Sequence, residues 1–321
     1  MNSSHNRRPA HWSVVGGSTA LLAAMLGLAS PSSAESTDPI KLTLNDWTGQ
    51  HISATIMGKV LESKGLSVEY VQADYIAQFA GLASGDLDVA MEIWDTTAKQ
   101  LVADGVATGK IEDLGGTGMK AREEWWYPSY MKERCPGLPD WTALKSCAEA
   151  FSTPETAPKG RYVGGPVAWG GNDEERIAAL GLDFEVVHPG TDSIIFAELE
   201  SAYQRKAPIM IWGYEPHWLN AKYKGEFVEF PPYAPECYTD PAWGINPDAT
   251  YDCGKPTGMI RKVAWSGVKE QWPTAYDAIK NFQISNAEMS EMVSRVDLKG
   301  EDLNTVVDGW IAANSAVWQK W

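Results

Sequence analysis

Residues 40–94 run through one pattern twice, a short apolar strand followed by a helix-spaced segment, and this pattern restricts the fold more than any other feature. Residues 40–44 (IKLTL) alternate as a strand does. Residues 52–64 place Ile52, Ile56, Val60 and Leu61 at helical spacing, with Gly65 past the end as a cap. Residues 67–72 predict a second strand, 75–84 a helix stopped by Gly85, and 87–94 a third strand. The β-α-β-α-β order implies parallel strands with helices on both faces. Ligands in such sheets sit beyond the carboxyl ends of the strands. Trp47 and Trp94 fall at those ends.

Pro128-Ser129-Tyr130 marks a break. A second α/β unit follows, with strands at 161–165, 184–187 and 208–212 and helices at 174–180 and 193–205. A Pro-rich loop then covers 231–257, and 302–318 reads as an amphipathic helix. The expected architecture is α/β and two-lobed, each lobe a mainly parallel sheet flanked by helices, the two joined by a hinge. Residues 35–130 and 225–321 form the first lobe and 131–224 the second.

The first 34 residues read as an export signal. Arg7 and Arg8 precede an apolar, small-residue stretch over 14–29, and Ser32-Ser33-Ala34 suits a cleavage site after Ala34. A membrane anchor is the alternative, but the run is short and broken by Gly16, Gly17, Ser18 and Thr19. The expected location is the periplasm. Net charge is −15 with the signal, which carries two arginines and no acids, so the exported chain is more acidic still. That balance argues against nucleic acid and anionic lipid as partners.

Four cysteines in an oxidising compartment suggest two local bridges, Cys135–Cys147 and Cys237–Cys253, among the three pairings that four cysteines allow. No C-x-x-C pair supports zinc. Within the second ring, Asp240, Asn246, Asp248 and Asp252 offer oxygen ligands to a hard cation such as calcium. Their spacing matches no EF-hand, and a solvated polar loop is the plain alternative.

Fifteen tryptophans against seven phenylalanines reverse the usual order. Packing alone has no reason to prefer indole, whereas a surface gripping a ligand with flat, electron-rich faces does. An alkylated ammonium makes no strong hydrogen bonds and is held best by aromatic faces. Trp47, Trp94, Trp126, Trp169 and Trp212 all lie at strand ends or Gly-rich turns, so they are the expected cage. Tyr214, two residues past Trp212, shares its face. Glu124 shares a face with Trp126 and would complement a cation, while Trp125 would point to the core. Trp141, Trp243, Trp265, Trp272, Trp310 and Trp318 are expected in packing roles.

Several segments together resemble the glycine betaine, proline betaine, choline and trimethylamine N-oxide-binding proteins of ABC importers. They are Asp46-Trp47-Thr48, residues 82–94 (LASGDLDVAMEIW), 127–131 (YPSYM), 167–171 (VAWGG) and 207–218 (APIMIWGYEPHW). The resemblance covers nearly the whole exported chain. It implies a hinged periplasmic binding protein fold (type II) with a cage between the lobes, no cofactor, a monomer, and permease and ATPase subunits as partners. It places Trp47, Trp94, Trp169 and the aromatic before Glu215-Pro216-His217 in the cage, and either Trp212 or Tyr214 completes it. Choline binders of the family carry an aspartate where this chain has Gly49, and some betaine binders a histidine where it has Ala98. Both polar handles are missing, so trimethylamine N-oxide is the expected ligand, then glycine betaine. An exported carbohydrate-binding protein or glycosidase using tryptophan stacking is the rival. Glu92, Asp95, Glu124 and Glu215 are available carboxylates, but no motif selects a pair, and no nucleophile or phosphate-loop motif is present. The chain is therefore expected not to be an enzyme.

Overall fold

The computed structural model describes residues 35–321, which cluster as one unit. The signal segment lies outside the described residues. Nine strands, β1 (Ile40–Leu44), β2 (Val68–Gln72), β3 (Val89–Trp94), β4 (Ile111–Pro128), β5 (Gly160–Val163), β6 (Phe184–Val187), β7 (Ile211–Glu215), β8 (Gly225–Phe227) and β9 (Gly258–Trp265), join in one sheet. Their order is β2-β1-β3-β9-β4-β7-β5-β6, with β8 pairing β4.

The expected parallel pairs occupy the two flanks: β1 with β2 and β3, and β5 with β6 and β7. The middle is antiparallel, through β3–β9, β9–β4, β4–β7 and β4–β8. The reason is β4. Over Ile111 to Ala121 it pairs with β9, and from Arg122 to Pro128 with β7 and β8. One strand thus belongs to both halves of the sheet. Its first part, rich in glycine, has no alternating pattern, and Gly115 and Gly118 adopt positive φ beside register shifts. Long-range pairing, not local propensity, makes it a strand.

The chain enters the second half within β4, at Ala121–Arg122, and β8 still pairs in that half. It returns to the first half only at β9.

The helix Thr48–Ser63 buries Ile52, Ile56, Val60 and Leu61 against the first half. The helix Gln78–Ser84 ends at Gly85, whose φ of 80° is the left-handed cap that glycine adopts most readily. β3 is buried at every position. The helix Asn286–Asp297 opens with a reciprocal capping box between Ser285 and Glu288. The amphipathic segment near the end is two helices, Leu303–Ala313 and Ser315–Trp318, broken at Asn314. Both expected disulfides are present, with Cα separations of 5.3 Å for Cys135–Cys147 and 6.4 Å for Cys237–Cys253. Among the described residues, no helix is long and apolar enough to cross a membrane.

Candidate functional site

Four aromatic side chains from four separate segments face one cavity, which Tyr75, Thr97 and Glu123 also line. Trp47 stands in extended backbone just before the helix Thr48–Ser63. Trp94 ends β3, with the helix Asp95–Ala107 starting at the next residue. Trp169 closes a single 3-10 turn after Pro166, and Tyr214 lies on β7. Neighbouring walls stand nearly perpendicular. Trp47 meets Trp169 at 5.5 Å and 76°, Trp169 meets Tyr214 at 6.2 Å and 82°, and Tyr214 meets Trp94 at 5.7 Å and 89°. Edge-to-face contact of this kind is favourable, and walls at right angles make an open-centred box rather than a stack.

Hydrogen bonds hold each wall. Trp47 Nε1 donates to Glu92 Oε2 (2.9 Å), and Ser53 Oγ donates to the other oxygen of that carboxyl (2.6 Å). Trp169 Nε1 donates to Asp46 Oδ1 (2.7 Å), which ties the second half to the first. Tyr214 Oη donates to Asp192 Oδ2 (3.1 Å). Trp94 is held through its main chain, whose N–H donates to Tyr75 Oη (2.8 Å). A second tie between the halves runs from Trp218 Nε1 to Asp297 Oδ2 (2.9 Å).

The polar group of greatest interest in the cavity is the carboxyl of Glu123. It is buried, and its Oε2 has no hydrogen-bond partner among the described residues. Burial pushes it up to about 7, partly offset by the Lys255 ammonium. Burial likewise raises Glu92 to about 7. Asp192 is raised to about 7, by burial first and then by Asp297. Trp94 Nε1 likewise has no hydrogen-bond partner among the described residues. The site thus combines apolar faces, an indole N–H and a carboxyl whose proton burial holds well above the usual carboxylate range.

The structure brings Trp47, Trp94, Trp169 and Tyr214 together and leaves three expected residues outside. Trp126 points to the opposite face of β4. It is fully buried, its Nε1 donates to Asn220 Oδ1 (2.9 Å), and its ring lies so close to Gly225 that a Cβ there would be 1.9 Å away. Glu124, on the same face, accepts from Arg176 (2.6 Å) and from the Lys255 main chain (2.9 Å). Trp212 does share a face with Tyr214 but stands behind Trp169, at 6.1 Å. The cause is the β4–β7 register, which sets Glu123 opposite Tyr214 and Trp125 opposite Trp212. Glu123 and Tyr214 therefore face the cavity, while Trp125 stacks on Tyr162 in the second-half core at 4.1 Å.

Sequence reasoning missed Glu123, Tyr75 and Thr97. Tyr75 follows β2 and sits edge-on to Trp47 at 5.4 Å, and its place after a strand was the available signal. Glu123 had no local signal, because its face depends on pairing with Tyr214, 91 residues away. Among the tryptophans expected in packing roles, Trp243 is instead exposed.

The acidic loop uses its oxygens internally. Asp252 Oδ2 accepts from the Asn246 main chain (2.7 Å), Asn246 Nδ2 donates to the Ala179 carbonyl (2.9 Å), Asp240 accepts from Ala242 N (3.0 Å), and Asn246 Oδ1 accepts from Asp248 N (3.1 Å). Among the described residues, no three acidic, histidine or cysteine side chains gather as a metal site would require. None of the four carboxylates weighed for glycosidase chemistry lines the cavity. Glu92 holds Trp47, Asp95 pairs with Arg261 (2.5 Å), Glu124 pairs with Arg176, and Glu215 accepts from Asn220 (2.5 Å).

Comparison with known proteins finds several similar chains. Residues 38–313 match the family model for the substrate binding domain of ABC-type glycine betaine transport systems. A trimethylamine N-oxide-binding protein of Pelagibacter ubique is 30% identical over 310 residues, 94% of this chain and 96% of the relative. Lactococcal OpuAC, in its closed form with glycine betaine, superposes with a TM-score of 0.69 at 18% identity, covering 88% of this chain and 99% of that one. A choline-binding ABC-transporter protein in complex with choline gives 0.68 at 17% identity, covering 88% and 91%. At such identities the two structures establish the fold alone, a two-lobed α/β architecture.

Proposed function

The chain belongs to the family of substrate-binding domains of ABC-type glycine betaine transport systems, and on that premise we propose that it captures trimethylamine N-oxide outside the cytoplasm for an importer. The observation that carries the choice of ligand is the buried Glu123 carboxyl among four aromatic walls, whose Oε2 has no hydrogen-bond partner among the described residues.

The aromatic faces suit the methyl groups and the delocalised positive charge, each contributing about 0.5–2 kcal/mol. The other end of the ligand decides among solutes. An N-oxide presents one compact anionic oxygen, a strong acceptor. A neutral Glu123 has one proton to donate, and a hydrogen bond to a charged acceptor is worth about 1.5–3 kcal/mol. Glycine betaine needs donors for two carboxylate oxygens, farther from the nitrogen. Gly49 and the buried Ala98 supply no side-chain donor or acceptor for a longer polar tail. Burying a polar group without a partner costs about 1–3 kcal/mol, so choline and betaine are disfavoured.

The similarity to a trimethylamine N-oxide-binding protein over 94% of the chain points the same way. Export by the 34-residue leader and docking to permease and ATPase subunits belong to this proposal. Calorimetric titration of the purified protein with trimethylamine N-oxide, glycine betaine and choline tests it. The expected order of affinity is the order given. Choline binding tightest would overturn the assignment of the ligand, and binding of oligosaccharide in place of all three would overturn the cage.

A further inference from the structure

The loop between β8 and β9 carries a charged side chain back into the second half. Lys255 lies two residues past Cys253, whose bond to Cys237 closes that loop. Its side chain is only 1% exposed. Its Nζ donates to the Gly171 carbonyl (2.7 Å), lies 4.0 Å over the Trp212 ring and is 3.8 Å from Asp173 Oδ2. Its main-chain N–H donates to Glu124 Oε2 (2.9 Å).

These contacts converge behind one wall of the cage. Gly171 lies two residues past Trp169, with φ of 134°, and a Cβ there would come within 2.5 Å of Trp212. Trp212 in turn stands against Trp169. The ammonium therefore clamps both the turn and the indole that back Trp169. Burying a cation is costly, and an apolar side chain often serves packing as well or better. The charge itself calls for a role.

Glu123 supplies one. Its ionisation responds to the charges of Lys255 on the loop, of Asp173 on the helix Asp173–Leu180 and of Glu124 on the other face of its own strand. Arg176 is bound up with Glu124 and Asp173, and Tyr75 approaches from the first half. Lys255 favours the ionised form of Glu123, and the two neighbouring acids oppose it.

We propose that Lys255 is a positioning residue of the ligand cage, fixing the Trp169 turn and Trp212 from behind while balancing the charge at Glu123. The proposal rests on reading the cavity as a trimethylamine N-oxide site.

Two variants separate its roles. Lys255→Met removes both the charge and the hydrogen bond, whereas Lys255→Gln keeps a donor for the Gly171 carbonyl. Trimethylamine N-oxide is titrated into each and into wild type, from about pH 6 to about pH 9, across the range where Glu123 changes charge. K255M should bind about tenfold or more weakly at the acid end, and K255Q should recover part of that loss. In both, the pH at which binding falls off should move upward by about half a unit or more, because a cation near Glu123 is gone. Wild-type affinity in K255M overturns the proposal. So does a loss of affinity with no shift of the pH midpoint and no recovery in K255Q, which would leave Lys255 as packing alone. Wild type that binds no methylated-ammonium solute refutes the cage reading first, and is distinguishable from either result. If neither variant folds, nitrogen-15 NMR of wild type decides. A slowly exchanging lysine ammonium signal that shifts on ligand addition supports the proposal, and solvent-rate exchange for all lysines overturns it.

Discussion

Replacing Glu123 with Gln should make binding stronger at alkaline pH, although it removes an ionisable group from the site. Wild type offers the N-oxide oxygen a proton only while Glu123 is neutral. Burial sets its titration at about 7. Above that value the competent fraction falls about tenfold per pH unit. At about pH 8.5 only about 3% of the carboxyl is neutral, so apparent affinity should lie about thirtyfold below its acid limit, a loss of about 2 kcal/mol. The amide of the Glu123→Gln variant is nearly isosteric and donates at every pH, so its affinity should stay flat from about pH 6 to about pH 9. The two curves should lie close at the acid end and separate by about thirtyfold at the alkaline end. Choline, which carries a fixed positive charge, should show the opposite wild-type trend, binding better once Glu123 ionises. Calorimetry at a series of pH values, with tryptophan fluorescence as a second readout, measures all of this. A wild-type affinity for trimethylamine N-oxide that is flat or rises with pH would refute the reasoning. A Glu123→Gln variant that keeps the wild-type slope would refute it equally.

Two contrasts follow. Trp169→Ala should weaken binding by about 1–3 kcal/mol, whereas Trp126→Phe should leave affinity within about twofold while lowering the melting temperature, because it loses one buried hydrogen bond worth about 1 kcal/mol; calorimetry and thermal melting that gave the reverse pattern would put Trp126 back in the cage. Glu92 is neutral in the folded chain up to about 7 against an ordinary value of 4.5, so folding takes up a proton between those values, and this contribution is full below 4.5 and lost as pH rises through 7, by about 3 kcal/mol in all. The Glu92→Gln variant should therefore lose less melting temperature than wild type between about pH 5 and about pH 8, and an identical slope would rule out Glu92 as a source.

Much of this molecule was legible in its residues because the signals were local. Apolar spacing located β1, β6 and the helices Thr48–Ser63 and Asp192–Arg205 to within a few residues, since amphipathic periodicity depends only on neighbours along the chain. Strand ends and a Gly-rich turn singled out Trp47, Trp94 and Trp169, which line one cavity in the folded chain. Tyr214 could be named but not separated from Trp212, since both stood on one face. Short-range cysteine pairs were equally readable. What only the tertiary structure decided was everything that depends on strand register. β4 looks like a glycine-rich loop until β9 and β7 supply partners, and then it becomes the strand shared by both halves. Its pairing with β7 chose which of Glu123 and Glu124 faces the cavity. A one-residue change in register turns every side chain on a strand to the other face. Alternation could therefore say that Glu124 and Trp126 travel together, but not that they travel away from the ligand. Lys255 was invisible for the same reason: a lysine after a Cys-Gly pair is ordinary in sequence, and only the folding of the disulfide-closed loop onto the Gly171 turn buries it behind Trp169.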